Sequence, residues 1–420
     1  MLNVCQHNDC TGCSACAAIC PHQAISMIAD EWGFKRPQID QKLCIDCGSC
    51  RKVCPALNKP ERKERLQDEQ FYATYHKDET IRMASSSGGA FSAFASTVLA
   101  RGGYVCAATF NESFQKVKHI IIDNENQLSA LRTSKYTQSD MGTCMTEVKQ
   151  LLRSGKEVFF VGTSCQVAGL HLFLHKEYPN LTTADIVCHG VPSPRLYRDY
   201  IAWLENKHNS KLQTYSFRDK RWSWWRFNMK ATFNNGYSYY GKWESDPFFR
   251  GFLNDYFLRE CCYKCQFSKH LRYADITLSD FWGYKATDGG FPNDDKGISM
   301  CMLNTKKGTN LFQEARSLMI HCVRPRKMSL SNGGFNPREQ DLVSREHFLE
   351  QYRQLGFASC LDSYFKALPL TLRYKILYLL GRGSVILKLY DKWLRLYPLL
   401  KSPKTFIREL LKKLRIIDRN

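Results

Sequence analysis

The chain opens with Cys10, Cys13, Cys16 and Cys20-Pro21, and repeats the pattern as Cys44, Cys47, Cys50 and Cys54-Pro55. Two residues between cysteines let three thiolates converge on one face of an iron-sulfur cubane, while the fourth, beside proline, reaches the neighbouring cluster. The spacing assigns Cys10, Cys13, Cys16 and Cys54 to one 4Fe-4S cluster and Cys44, Cys47, Cys50 and Cys20 to a second. Zinc is the competing occupant, but it prefers separated CxxC pairs or Cys/His sets of four ligands per ion, not a tandem octet with both prolines. A disulfide framework fits less well, since the sequence starts without a secretory pattern. Thiolates holding iron and sulfide move one electron at a time. Residues 1–57 therefore read as an electron conduit wrapped on two cubanes.

The run is that of two-cluster bacterial ferredoxins, with short strands expected at Ile25-Ser26-Met27-Ile28 and around Phe34. The remaining length, within 420 residues, is enough for one or two further domains. Nineteen cysteines point to a reducing compartment, so the expected location is cytoplasmic. No apolar run approaches the ~18 residues of a membrane span. The net charge of +20 is unevenly placed: residues 365–420 hold fourteen Lys and Arg against three acids. The rest is only mildly basic, and nucleic acid is not an expected partner.

Asn58-Lys59-Pro60-Glu61-Arg62-Lys63-Glu64-Arg65 is charged and aperiodic, and residues 58–70 read as a linker. Ser85-Ser86-Ser87-Gly88-Gly89 precedes an apolar-periodic helix over 90–99; it suits an anion at the helix start or a plain cap. Strands are expected at 104–108 and 118–123, and Ser134-Lys135-Tyr136 follows a loop in which a cation and an aromatic suit a phosphate and a ring. A helix at 145–153 leads to a buried strand at 157–161 ending in Gly162-Thr163-Ser164-Cys165-Gln166. A strand at 183–187 ends in Cys188-His189-Gly190. Strand, tight turn, helix is where open α/β sheets bind ligands. A helix over 196–207 and strands at 212–217, 227–233 and 237–242 follow, with Asn234-Asn235-Gly236 as a hairpin turn. Trp222, Trp224 and Trp225, interleaved with Arg218, Lys220, Arg221 and Arg226, fit an aromatic rim on a cofactor cavity better than a nucleic-acid surface.

Cys261-Cys262-Tyr263-Lys264-Cys265 precedes a strand at 274–278. Cys165, Cys188, Cys262 and Cys265 make a candidate third 4Fe-4S site, with zinc as the competing metal and Cys261 leaving the choice between neighbours open.

The blocks at 82–89 (ending SSSGG), Ser134-Lys135-Tyr136, 162–169 (GTSCQVAG), 187–193 (VCHGVPS), Phe217-Arg218-Asp219-Lys220, 262–265, 274–283 (ADITLSDFWG) and Lys296-Gly297-Ile298-Ser299 resemble the coenzyme F420 hydrogenase/dehydrogenase beta-subunit family over roughly residues 71–330. The resemblance implies FAD held by Ser85, Ser86, Ser87, Gly88, Gly89, Ser134, Lys135, Tyr136, Gly162, Thr163 and Gln166, with the third cluster beside it. It implies an oxidoreductase linking a ferredoxin-type partner or a reductase to an organic small molecule. Relatives with this fused layout occur with polysaccharide synthesis enzymes, implying a glycan-related substrate. Cys188-His189-Gly190 departs from the deazaflavin-using branch, which leaves use of a deazaflavin substrate open while keeping flavin and cluster. His189 is the candidate proton donor, with a hydrogen bond to a cluster or cofactor as its other role.

The expected fold class is α/β (α+β overall): a ferredoxin-like module at 1–57, the linker at 58–70, a flavin- and cluster-binding domain in two parts at 71–155 and 156–362, and a basic amphipathic helical tail at 363–420. Such a tail suits either the inner face of an anionic membrane or packing on protein. A non-catalytic electron carrier supplying a partner reductase is the alternative function.

Overall fold

The computed structural model describes residues 3–61, 65–284, 290–330, 335 and 342–364. The basic tail expected at 363–420 lies outside them from residue 365 onward. No helix among the described residues is long and apolar enough to cross a membrane.

In the N-terminal module, β1 (Ile25–Ala29) pairs antiparallel with β2 (Lys35–Ile39). The main domain contributes β3 (Arg65–His76), β4 (Tyr104–Phe110), β5 (Val117–Ile122), β6 (Ser139–Asp140), β7 (Val158–Thr163), β8 (Leu181–Ile186), β9 (Leu212–Asp219), β10 (Asn228–Phe233), β11 (Ser238–Lys242), β12 (Ile276–Asp280), β13 (Ser299–Thr305) and β14 (Met319–Val323). Nine of these form one mixed sheet in the order β14-β3-β13-β12-β8-β7-β4-β5-β6, and β11-β10-β9 form a separate antiparallel sheet. The α/β class is as expected. The two expected parts of the main domain share the large sheet, because β4 pairs with β7 across the 155/156 boundary.

The strand β3 begins at Arg65, inside the stretch expected as linker. In its first half Asp68 is exposed, while Arg65 and Glu69 are half-buried and pair at 3.3 Å. Only from Phe71 onward does apolar burial declare a strand.

β4, β7, β8 and β12 run parallel at the centre of the sheet. Strands covered on both faces read as continuous apolar runs, and Val158-Phe159-Phe160 are all fully buried. Alternation sends Phe159 toward the Ala90–Ala100 helix and Phe160 to the opposite face, with the Ser164–Leu174 helix and Cys13 and Ala15 of the N-terminal module. The module thus completes the cover of the sheet. The contact is tight: a Cβ on Gly169 would stand 2.9 Å from Cys13 Sγ.

Candidate iron-sulfur and flavin site

β7 and β8 end side by side, with Thr163 paired to Ile186. Their carboxyl ends therefore deliver Cys165 and Cys188 to one place. Thr163 and Gln166 form a capping box on the Ser164–Leu174 helix, and Thr163 N donates to Gln166 Oε1 at 2.9 Å. Thr163 Oγ1 lies 3.1 Å from Cys165 Sγ. The short Glu260–Tyr263 helix brings Cys261, Cys262 and Cys265 to the same cavity of about 220 Å³, which Thr163, His189, Lys264 and Arg272 also line. Three separated parts of the chain thus bring thiols to one space.

Burial pushes the Cys165 thiol well up and the Cys188 thiol up to about 12, and negative charge on Cys265 and Cys261 adds to both shifts. Of the adjacent pair, Cys261 carries this interaction, while the Cys262 sulfur accepts from Val191 N at 3.4 Å. Cys261 also feels charge on Cys10, across the boundary with the N-terminal module. Among the described residues no three His, Cys, Asp or Glu side chains stand close enough to share a single metal ion. A cubane separates its thiolates more widely, because each binds a different iron.

Beneath this cavity Arg272 is buried, with Nη1 donating to Ser164 Oγ and Phe267 O, both at 2.8 Å. Its Nε and Nη2 have no hydrogen-bond partner among the described residues. Asp185, fully buried, lies 3.8 Å from Nη1 and accepts from Thr277 Oγ1 at 2.6 Å. Unpartnered guanidinium N–H groups beside several thiols fit an anionic cluster, whose sulfurs would accept them. His189 Nε2 and Asp255 Oδ1 share a hydrogen bond of 2.6 Å at the rim. A carboxylate there orients the imidazole with Nε2 as donor.

In the N-terminal module Cys10, Cys13, Cys16 and Cys54 are buried, Cys20, Cys44 and Cys50 are half-buried, and Cys47 is exposed. The first cysteine group thus lies inward, against the main domain, and the second outward. Hydrogen bonding from Cys5, a residue the motif does not include, lowers the Cys10 thiol to about 5; burial opposes the shift, and the Arg259 and Arg36 guanidiniums reinforce it.

The segments expected to hold flavin converge in part. Ser134 N donates to Ser86 Oγ at 2.7 Å. Arg218, buried, bridges Tyr136 Oη (3.2 Å), Ser86 O (3.2 Å) and the Asp280 carboxylate (2.9 and 3.1 Å). Gly89 precedes the Ala90–Ala100 helix at φ 92°, with no side-chain cap on the helix N–H groups, which fits a phosphate at that end. Gly88 permits a close approach to Thr74 O, and Ser85 and Ser87 hydroxyls donate to Ile81 O (2.7 Å) and Ile298 O (2.8 Å). Lys135 Nζ, which burial pushes down to about 7, donates to the carbonyls of Leu131, Arg132 and Thr133 within its own loop. Gly162 packs against Gln166, whose Nε2 reaches Ser139 Oγ at 2.9 Å.

The tryptophan rim is corrected. Trp224 is fully buried, stacked on Trp282 at 4.7 Å and bonded to Asp280 Oδ1 at 2.9 Å, so it belongs to the core, while Trp222 stands 62 % exposed against Tyr240. Arg218 found a carboxylate and ring faces (Phe227 at 3.9 Å) instead of solvent, and Trp224 shares its Asp280 partner. Sequence reasoning gave no site role to Arg259, Arg272 or Gln138; an arginine two residues before Cys261 is the signal that could have found the first of them.

Residues 9–58 match the model of a 4Fe-4S dicluster domain. Residues 71–145 and 155–325, together more than half of the chain, match the N-terminal and C-terminal models of the coenzyme F420 hydrogenase/dehydrogenase beta subunit. A subunit of the F(420)H(2) dehydrogenase of Methanosarcina mazei is 24% identical over 181 residues, covering 41% of this chain and half the length of that relative. A ferredoxin-like protein of Haemophilus influenzae is 37% identical over 83 residues, 17% of this chain and 91% of that protein. Among solved structures, a chain of the F420-reducing [NiFe] hydrogenase complex from Methanosarcina barkeri aligns at 15% identity and a TM-score of 0.43, over 70% of this chain and 95% of that one. The cysteine-bearing strand ends and the dicluster module in front of them thus have a family: the chain belongs to the coenzyme F420 hydrogenase/dehydrogenase beta-subunit family of oxidoreductases, with a 4Fe-4S dicluster domain at its N-terminal side.

Proposed function

We propose that the chain is an iron-sulfur flavoprotein oxidoreductase that moves electrons between a ferredoxin-type partner, three 4Fe-4S clusters, FAD and an organic substrate. The observation that carries this reading is the cavity in which Cys165, Cys188, Cys265 and one of Cys261 and Cys262 meet the unpartnered N–H groups of Arg272. A carrier alone requires only the first module. Bound FAD would exchange two electrons with the organic molecule and single electrons with the clusters. The uncapped start of the Ala90–Ala100 helix and Ser134 would hold its phosphates, Gly88 would let that turn pack on Thr74 and Ser299, and Tyr136 and Arg218 would border its ring. His189, oriented by Asp255, would supply the proton. The fused layout favours a glycan-related small molecule as substrate.

Anaerobic purification followed by a visible spectrum and counts of iron, sulfide and flavin tests the reading. About twelve irons and one FAD per chain are expected from three cubanes and one flavin. About eight irons without flavin would overturn it in favour of a non-catalytic electron-transfer subunit. The relative in Methanosarcina mazei is itself named as one subunit of a dehydrogenase, which supports that second reading. Flavin bleached by dithionite but by no candidate substrate would also favour it.

A further inference from the structure

Arg259 is fully buried, and its side chain leaves its own segment for the N-terminal module. Nε donates to Cys10 O at 2.6 Å, and Nη2 donates to Lys35 O at 2.9 Å and to Cys10 Sγ at 3.4 Å. Nη1 donates to Gln138 Oε1 at 2.7 Å. None of these partners is a carboxylate. The adjacent Glu260 is bonded to Arg36 (2.5 Å) and Arg345 (2.7 Å) instead. The contrast with Arg36 is informative: that guanidinium, also beside the module's cysteines, has both Asp30 and Glu260 to neutralise it.

Burying a cation without an anion costs several kcal/mol. Among the described residues the one hydrogen-bond partner of Arg259 that can carry negative charge is the Cys10 sulfur, and the Cys261 thiol adds an electrostatic interaction. A cubane on four thiolates is anionic, and more so once reduced. A buried cation with an N–H on a ligand sulfur therefore favours the reduced form, since net charge and hydrogen bonds to sulfur set cluster potentials.

We propose that Arg259 is a positioning residue that raises the reduction potential of the cluster held by Cys10, Cys13, Cys16 and Cys54, and fixes that cluster against the cysteine segment of the main domain. Its Gln138 contact ties the same guanidinium to the loop that follows Tyr136. Packing there is close: a Cβ on Gly12 would stand 2.2 Å from Gln138 Nε2 and 2.9 Å from Arg259 Nη1. Cys261, two residues on, interacts electrostatically with Cys10 and with the thiols of the cavity, so Arg259 stands where electrons would cross between the two parts of the chain.

The inference rests on the dicluster reading of the first module. The full chain and its Arg259→Gln and Arg259→Lys variants are reconstituted anaerobically, counted for iron and sulfide, and titrated reductively under electron paramagnetic resonance. A Cys47→Ser background marks the outer cluster, so that the inner midpoint can be assigned. In Arg259→Gln the reduction equilibrium of the inner cluster falls about tenfold, which is about 59 mV for a one-electron couple, while the other midpoints stay in place. Arg259→Lys falls by less, because the charge remains and the sulfur contact is lost. An inner midpoint unchanged in a fully loaded Arg259→Gln variant, or unchanged or raised in Arg259→Lys, overturns the proposal. Should neither variant hold its cluster, wild-type chain labelled with ¹⁵N-arginine decides: nitrogen coupling at the reduced inner cluster is expected, and its absence overturns the proposal. Wild-type protein without cubane signals would overturn the dicluster reading itself, a distinguishable result.

Discussion

Gly169→Ala adds one methyl to the middle of the Ser164–Leu174 helix, and two opposing effects decide its sign. Alanine in a helix interior is favoured over glycine by about 1 kcal/mol. The new Cβ, however, would stand 2.9 Å from Cys13 Sγ, 3.1 Å from Cys13 Cβ and 3.6 Å from Ala15 Cβ. Which effect wins depends on whether Cys13 can move. In the metal-free chain its thiol is the free end of a short side chain and can turn aside, so the variant should be as stable as the parent or up to about 1 kcal/mol more stable. Once Cys13 binds iron the sulfur is fixed by a rigid cube, the clash remains, and overpacking of about 1–3 kcal/mol exceeds the helix gain. The loaded variant should therefore be the less stable one, by up to about 2 kcal/mol net. Urea titrations of the apo and reconstituted forms, followed by circular dichroism and cluster absorbance, measure both. A shift of the same sign and size in the two forms would refute the argument, as would a loaded variant as stable as the parent with its full iron content.

Three further outcomes are expected. Cys261→Ser and Cys262→Ser separate the two candidates for the fourth ligand of the cavity: only one should lose about four irons, and charge interaction with Cys165 and Cys188 selects Cys261, whereas the CxxC spacing selects Cys262. Arg272→Met should remove cluster signal from the cavity while leaving both clusters of the first module; full iron content with unchanged spectra counts against the assigned role of its unpartnered N–H groups. Burial pushes the Asp246 carboxyl up to about 6, above its unfolded value of 3.8, while Phe249 N (3.0 Å), Tyr200 Oη (2.7 Å) and Tyr239 Oη (3.2 Å) donate to it. The folded chain holds that proton more tightly, so this stabilisation is complete below about pH 4 and is lost as pH rises through about 6, on the order of 3 kcal/mol. Asp246→Asn should flatten that slope in urea titrations across the interval, and a variant with the parent's pH profile would contradict the account.

What the sequence revealed depended on local spacing. The tandem cysteines and the strand-end positions of Cys165 and Cys188 were legible because thiolate geometry and strand termination are short-range. The buried strand through Phe159 and Phe160 was legible for the same reason. β3 was hidden in its first half, where Arg65, Asp68 and Glu69 look like linker because the half-buried Arg65–Glu69 pair that lets charge sit on the strand cannot be told from a solvated charge run by sequence. The aromatic rim failed at Trp224 because its partner Asp280, which also pairs with Arg218 62 positions away, is supplied by a distant strand. Arg259 reaches Cys10 across 249 positions. No window along the chain contains that contact.

These arginines differ in a way that bears on the chemistry. Arg218 is paired by both oxygens of Asp280. Arg272 has Asp185 only at 3.8 Å and keeps two N–H positions unpartnered among the described residues. Arg259 meets no carboxylate among the described residues, only carbonyls, an amide oxygen and the Cys10 sulfur. Arg259 and Arg272 thus lack the close carboxylates that Arg218 and Arg36 have, although burying a cation in an otherwise neutral protein is costly. The lack makes physical sense if the proposed thiolate-held clusters supply the missing negative charge. Replacing Arg259 by a neutral residue then leaves excess negative charge at the inner cubane and makes it harder to reduce, whereas at Arg272, whose Nε and Nη2 have no other partner among the described residues, the same loss should cost the cavity its cluster.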